Sequence, residues 1–117
     1  MIADTLYSKY IKERLGHEII ENDSGFIVFK VNGKEVFIVD MYVRQGMRKN
    51  GLGSDLIKNL TGIATFHKAE VITANIHLFD KNANNTLMAA LKVGFKVIQA
   101  DQNILLIALN FTEEKNG

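Results

Sequence analysis

Residues 39–54, which read V-D-M-Y-V-R-Q-G-M-R-K-N-G-L-G-S, decide the fold that the sequence predicts. The stretch begins as an apolar run with β-branched residues, which is typical of a strand. It turns into a glycine-rich, basic loop, and a helical pattern begins at Leu52. Gly51 and Gly53 lack a Cβ, so the main chain there can take positive φ and a ligand can approach it closely. We therefore predict a strand, a ligand-binding loop and a helix in direct succession.

The composition of this loop suits an anion. Arg44, Arg48 and Lys49 place positive charges ahead of the turn, and the first acid after them is Asp55. The first N–H groups of the following helix have no acceptor inside the helix and carry the positive end of its dipole. Such a helix start binds phosphate well. The predicted ligand of the loop is therefore an anion with several phosphate oxygens.

Two common nucleotide-binding motifs fail in this loop. The Walker pattern G-x-x-x-x-G-K-[ST] begins well at Gly46 and Gly51, but Leu52 and Gly53 occupy the positions that require Lys and Ser or Thr. The dinucleotide pattern G-x-G-x-x-G fits at Gly51 and Gly53 but has Leu56 in third place. Its βαβ unit would also have to begin after a run of antiparallel strands. A dinucleotide-binding fragment is therefore a distant alternative.

A third pattern, R-x-x-G-x-G, is met in full from Arg48 to Gly53. This pattern resembles the acyl-coenzyme A loop of the GNAT superfamily of N-acetyltransferases. Residues 40–43 are similar to the strand that precedes the loop in the family, and Gly94 with Phe95 resembles the family's closing signature. The resemblance extends over residues 36–111, so it covers the order of elements as well as the loop.

The resemblance implies an α/β (α+β) fold with a GNAT-like mixed sheet. An antiparallel N-terminal meander comes first, a strand-helix-strand passage with parallel strands follows, and a C-terminal hairpin ends the sheet. The length suits one core, so we expect residues 1–117 to form a single acetyltransferase domain. Apolar periodicity and turn residues predict strands at 17–22, 26–31, 36–43, 71–78, 95–99 and 104–111, helices at 52–67 and 86–93, a loop at 80–85 and a hairpin turn at 100–103.

The N-terminal part is predicted to be a helix followed by a hairpin. Asp4 or Thr5 can cap the helix, and Gly16 can end it. Asn32 and Gly33 are the strongest short hairpin signal in the chain. The helix is expected to pack on the sheet through an apolar face made of Ile2, Leu6, Tyr10 and Ile11.

The resemblance implies acetyl-coenzyme A as the cofactor and direct transfer of its acetyl group to a primary amine of a protein, a peptide or a small molecule. In the family, the main chain of the strand before the loop pairs with the pantetheine arm, and by position these contacts fall on Met41, Tyr42 and Val43. The pyrophosphate contacts, most of them through N–H groups, fall on Arg48, Lys49, Asn50, Gly51, Leu52, Gly53 and Ser54. The asparagine usual at the start of the next family helix falls at Ala83, which makes the neighbouring Asn84 a further candidate.

The resemblance leaves the catalytic roles partly unfilled. Many members have a tyrosine four residues before the Gly-Phe glycine, as the acid for the leaving thiolate, and this chain has Ala90 there. The amine attacks only when neutral, so it needs a base or a water relay. Asp40 and His77 are the candidates, although each could be a structural residue. Ala90 also supports an alternative, a noncatalytic coenzyme A-binding or protein-interaction module with the same fold.

Composition restricts the other classes of function. A net charge of +1 argues against nonspecific binding of nucleic acid. The chain has no cysteine, and no HxxH motif or carboxylate cluster predicts a metal site. No apolar run is long enough to span a bilayer, and the first residues lack the features of a signal peptide, so a cytoplasmic protein is expected. The expected partners are acetyl-coenzyme A and an unknown amine acceptor, with no nucleic acid or membrane, for a monomer or homodimer.

Overall fold

The computed structural model describes residues 5–44, 52–81 and 83–111. Within these ranges the chain forms three helices and six strands. No described helix is long and apolar enough to cross a membrane. In chain order the elements are α1 (Leu6–Leu15), β1 (Glu18–Glu21), β2 (Gly25–Asn32), β3 (Glu35–Val43), α2 (Leu52–Phe66), β4 (Val71–His77), α3 (Ala83–Val93), β5 (Lys96–Asp101) and β6 (Ile104–Asn110).

The six strands form one mixed sheet in the order β1-β2-β3-β4-β6-β5. The strands β3 and β4 are parallel, and the other neighbouring strands pair antiparallel. Helix α2 makes the crossover between the two parallel strands, as such a pair requires. The predicted fold class, with its meander, parallel pair and terminal hairpin, is confirmed.

The two faces of the sheet are covered differently. Helices α2 and α3 pack on one face and bury the main core. Helix α1 packs on the other face through Ile11, which contacts Ile19 of β1 and Val28 of β2 in a separate small cluster. The largest fully buried side chains all belong to the main core between the sheet and these two helices: Phe29, Ile20, Ile27, Leu56, Ile57, Leu60, Ile72, Ile107 and Val36.

Helix α1 has the predicted ends but a different buried side. Thr5 caps it in a capping box with Ser8, and Gly16 ends it at a φ of 69°. The predicted packing of Leu6 and Tyr10 on the sheet is wrong, because their side chains are 86% and 56% exposed. Only Ser8 and Ile11 are buried in α1. Helix α1 contacts β1 and β2 over a small area, which Ile11 alone fills with an apolar side chain. The Tyr10 ring lies against the Arg14 guanidinium instead.

Several predicted boundaries move in the structure. Helix α3 begins at Ala83 rather than near 86, because Ala83 is buried in the core and its N–H donates to the carbonyl of Asp80. The predicted turn at 100–103 shortens to Gln102 and Asn103, since β5 keeps pairing as far as Asp101. The first hairpin turns at residues 33 and 34, one position after the predicted pair.

A β-bulge in β3 separates two halves of this strand. Phe29 pairs with Ile38 and Val28 pairs with Asp40, so Val39 is the extra residue. The parallel pairing of β3 with β4 runs only from Glu35 to Ile38 and ends at the same place. Beyond it, β3 and β4 diverge while β4 stays paired with β6 along its whole length. The bulge therefore coincides with the point where the central sheet opens.

Gly25 allows the close approach of β2 to the second half of β3. It is buried and lies opposite Val43 in the register. A Cβ at this position would overlap the carbonyl oxygen of Tyr42 and meet its carbon at 2.9 Å. Because these are main-chain atoms, they cannot rotate away as a side chain would. Gly25 is thus a constraint on where the open half of β3 lies.

We expect Gly25→Ala to lower the free energy of unfolding by about 2 kcal/mol, because the added methyl group pushes β3 away from β2. Gly62→Ala is the matched control, since a Cβ in the middle of α2 has nothing within 4 Å. It should raise the free energy of unfolding by up to about 1 kcal/mol. Denaturant unfolding of both variants measures the difference. A neutral effect of Gly25→Ala would show that the two strands do not need this close contact.

Candidate functional site

The divergence of β3 and β4 creates a cleft in the middle of the sheet. The empty space in the cleft and at its mouth is about 600 Å³, a figure that includes open solvent. One wall is β3 from Ile38 to Met41, and the other is β4 from Ala74 to His77. The floor is apolar because Ile57 of α2 and Ile107 of β6 lie beneath the gap. The cleft therefore has two walls formed by strands and an apolar base.

The main chain of β3 faces the cleft at alternate residues. The N–H of Arg44 donates to the carbonyl of Ser24 at 2.6 Å. Antiparallel pairs alternate between bonded and non-bonded, so the next bonded pair is Tyr42 with Phe26. Met41, which lines the cleft, consequently directs its N–H and C=O groups away from β2 and toward the gap. At Met41 this wall is a strand edge to which an extended ligand can add.

The predicted strand contacts thus differ in orientation. Met41 directs main-chain groups at the cleft, whereas the main chain of Tyr42 pairs with β2. Val43 is not among the residues that line the cleft, so its contact with the ligand stays a prediction. The Tyr42 ring lies on the α1 side of the sheet, with its centroid 5.7 Å from that of Phe26. A role of Tyr42 as a main-chain contact to the ligand stays a prediction.

The Asp40 carboxylate accepts a hydrogen bond from one of the main-chain groups at this strand edge, the N–H of Met41. The distance from its Oδ1 to the Met41 nitrogen is 2.9 Å, and the side chain is exposed. A ligand that pairs with the Met41 N–H must therefore displace the carboxylate.

The structure brings the two predicted catalytic residues to the same face. Asp40 alternates with Met41, which packs against the core, so Asp40 leaves on the opposite side. His77 likewise alternates with Ile76 of the core, and it is exposed at the end of β4. Asp40 and His77 both line the cleft, one on each wall. The arrangement places a carboxylate and an imidazole on either side of one opening.

Three of the predicted pyrophosphate contacts lie at the start of α2, which follows β3 in the chain: Leu52, Gly53 and Ser54. The N–H groups of Leu52, Gly53 and Ser54 are in its first turn, where the helix supplies no acceptor. The Ser54 side chain is buried and its hydroxyl donates to the carbonyl of Ala89 in α3 at 3.4 Å. Only the main chain of Ser54 is thus oriented for a ligand. The predicted contacts at Arg48, Lys49, Asn50 and Gly51 lie outside the described residues.

Helix α3 closes one end of the cleft with small side chains. Ala83 and Ala90 line it, and Ala90 is 3% exposed. Asn84, the further candidate for the cofactor, is exposed in the first turn and is not among the lining residues, so its role stays a prediction. The space that a larger side chain at Ala90 would fill is therefore part of the cleft.

Most of the lining residues were not predicted as site residues, and two polar ones among them are Thr86 and Asp80. Thr86 lies on the cleft side of α3, one turn before Ala90, and Asp80 lies in the loop after β4. The spacing of Ala83, Thr86 and Ala90 marks one helix face, but it was hidden because the helix was predicted to begin only near 86. Among the described lining residues, Asp40 and Asp80 are acidic and none is Lys or Arg. The cleft is thus suited to a cationic partner on this side.

One family model matches most of the chain. The family model "Acetyltransferase (GNAT) family" matches residues 9–95. No curated protein sequence matches the chain significantly. Among solved structures, the chain is similar to a Bacillus subtilis acetyltransferase in complex with CoA, with 17% identity, a TM-score of 0.71 and coverage of 94% of this chain and 96% of that one.

Two further structures show the same fold. The Campylobacter jejuni N-acetyltransferase PseH, in complex with acetyl coenzyme A, has 16% identity and a TM-score of 0.69, with 87% of this chain and 73% of that chain covered. The ribosomal-protein-S18-alanine N-acetyltransferase from Escherichia coli has 12% identity and a TM-score of 0.67, with 92% of this chain and 77% of that chain covered. Since the family model matches most of the chain and the fold agrees, this chain belongs to the acetyltransferase (GNAT) family.

Proposed function

We propose that the chain is an N-acetyltransferase that uses acetyl-coenzyme A as the donor and a primary amine as the acceptor. The observation that carries the proposal is the cleft between β3 and β4, which has a strand edge on one wall and Asp40 and His77 at its opening. Membership of the GNAT family supports acetyl transfer. Neighbours of the same fold in complex with CoA or acetyl coenzyme A support the donor.

The residues present fit such a donor. A pantetheine arm carries amide groups that can pair with the main chain of β3 at Met41, as an added strand does. The pyrophosphate would lie at the start of α2, where the N–H groups of Leu52, Gly53 and Ser54 favour an anion. The basic residues Arg48 and Lys49 precede this helix start in the sequence. When bound, the donor supplies an acetyl group activated as a thioester.

Asp40 and His77, at the opening of the cleft, would accept a proton from the acceptor amine. The acceptor ammonium first loses one proton to become a neutral amine. The amine nitrogen then forms a bond to the acetyl carbon as the carbon–sulfur bond breaks, and the second proton that the nitrogen loses can pass through water to the leaving thiolate. Asp40 can hold the incoming ammonium and, directly or through water, accept its first proton, and His77 is placed to do the same from the other wall. The Met41 N–H, once Asp40 leaves it, can donate to the oxygen of the acetyl group.

The second candidate function is a noncatalytic module that binds coenzyme A. The observation in its favour is Ala90, which lines the cleft where the family's tyrosine acid would stand. The leaving thiolate then has no phenol to protonate it. The hydroxyl of Thr86 or water could serve, because Thr86 lines the same cleft.

We expect acetyl-coenzyme A to raise the melting temperature of the protein much more than NAD or ATP, because only its motif is complete at Arg48 to Gly53. Thermal shift with the three ligands measures this. Release of the coenzyme A thiol across a panel of amines and lysine peptides then separates the two candidate functions. Equal stabilisation by NAD would contradict the donor, and tight binding without any transfer would favour the noncatalytic module.

We expect Asp40→Asn to lower turnover by roughly 10²–10⁴-fold, because the amide keeps the size of the side chain but loses its charge and basicity. His77→Gln is the parallel variant on the other wall. Asp101→Asn is the matched control, since Asp101 is exposed in β5 and lies outside the cleft. Turnover is measured at saturating donor as a function of pH. If neither Asp40 nor His77 matters more than Asp101, the proton leaves to solvent and the assigned bases are wrong.

A further inference from the structure

The strand β5 forms one edge of the sheet. It pairs with β6 on one side, and no strand of the described residues pairs with its other side. All six residues of β5 are exposed, and two of them are large and apolar: Val97 is 45% exposed and Ile98 is 58% exposed. The main chain of an edge strand is a template on which another chain can pair. The outer edge of β5 is therefore a candidate interaction surface.

The hydrogen bonds of β6 indicate which main-chain groups of β5 point outward. Phe111 donates its N–H to the carbonyl of Glu70, and Leu78 donates its N–H to the carbonyl of Asn103. These two bonds extend the ladder of β4 and β6 at its two ends, in the register of the pairs between them. Bonded pairs alternate along an antiparallel ladder, so the odd-numbered residues of β6 bond to β4 and the even-numbered residues bond to β5.

The outward positions of β5 follow from this alternation. The β5 residues opposite even-numbered residues of β6 are Lys96, Gln99 and Asp101. Val97 and Ala100 lie opposite odd-numbered residues, so their N–H and C=O groups point away from β6. They are separated by two residues instead of one because Ile98 is the extra residue of a β-bulge. Two copies of β5 that run antiparallel share this spacing, so Val97 of each copy can bond to Ala100 of the other.

This register is self-complementary in length and in charge. With Val97 opposite Ala100 of the second copy, all six residues of β5 are paired, and Lys96 lies opposite Asp101 of the second copy at each end. Lys96 and Asp101 both lie opposite even-numbered residues of β6, so their side chains leave the same face of the sheet. A two-fold axis perpendicular to the sheet keeps this face common to both copies, and opposite charges that face each other across two strands stabilise the pairing. Any other register leaves residues of β5 unpaired and moves Lys96 away from Asp101.

The opposite edge of the described sheet is a poorer partner for β5. The strand β1 at that edge has only four residues, of which Ile19 and Ile20 are buried. The carboxylate of Glu18 in β1 is already paired with the ammonium of Lys12 in α1 at 2.8 Å. Pairing of β5 with β1 of another copy would also be head-to-tail, which leaves an edge free at each end and lets copies add without limit. Pairing of two β5 strands about a two-fold axis closes after two copies.

We propose that two copies of this chain associate through their β5 strands, which pair antiparallel about a two-fold axis and join the two sheets into one. The pairing covers part of the exposed apolar surface of Val97 and Ile98. A single pair of short strands forms a smaller interface than the roughly 1,200 Å² of stable complexes, so the dimer is weak and depends on concentration. No residue of β5 lines the cleft, so the inference does not depend on the proposed function.

The test is sedimentation of the full chain from micromolar to near-millimolar concentration, where the wild-type protein should form a reversible dimer. Lys96→Glu and Asp101→Lys each place like charges opposite one another at both ends of the strand pair. Each variant alone should raise the dissociation constant at least about tenfold, which corresponds to about 1.4 kcal/mol. An equimolar mixture of the two variants should dimerise again, because every charged position in a mixed dimer then faces an opposite charge.

Lys58→Glu is the matched control, because Lys58 is exposed on α2 and the substitution changes the net charge by the same amount as Lys96→Glu. It should leave the association unchanged. A wild-type protein that stays monomeric over the whole range, or an equal effect of Lys58→Glu, would overturn the proposal. Failure of the mixture to dimerise would overturn it too, because it would show that Lys96 and Asp101 do not meet across the interface. Species larger than a dimer would indicate head-to-tail pairing instead.

Discussion

The short pairing of β3 with β4 is the constraint on which the rest of the structure depends. Parallel hydrogen bonding joins Glu35–Ile38 to Val71–Ala74 and then stops. The bulge at Val39 bends β3 at this point and shifts its alternation by one residue. As a result Val36 and Ile38 face the helices in the first half of the strand, and Met41 and Val43 do so in the second. Without the extra residue, Asp40 would point into the core.

The open sheet remains stable because its other contacts are complete. The strand β4 keeps its full antiparallel pairing with β6, and β2 follows β3 to its end through the close approach at Gly25. The main chain of Met41 faces the cleft rather than another strand, and such strand edges pair readily with other chains. The Asp40 carboxylate covers one donor of this edge. The Asp40 side chain thus pairs with this edge in the absence of a ligand, and it lies where the proposed acceptor would enter the cleft.

Much of the fold could be predicted from the sequence because its signals are local. The loop pattern from Arg48 to Gly53, the helical spacing after Leu52 and the turn at Gly33 identify the family and the order of the strands. The bulge could not be predicted, because Val39 looks like any strand residue and only the register with β2 reveals it. The start of α3 was placed too late because Asn84 and Asn85 favour turns in isolation, whereas the burial of Ala83 draws the helix back to it. The exposure of Leu6 depends on how little of the sheet α1 covers, which no periodicity encodes.

We propose that the edge of β3 at Met41 and the start of α2 together form the binding site of the donor. Amide NMR spectra recorded during a titration with coenzyme A test this, since they report on each main-chain group. We expect the largest shift changes at Met41 and in the first turn of α2, with little change at Ile19 in β1 or Gln99 in β5. Saturable binding that leaves Met41 unchanged while shifting residues of another surface would contradict the proposed site.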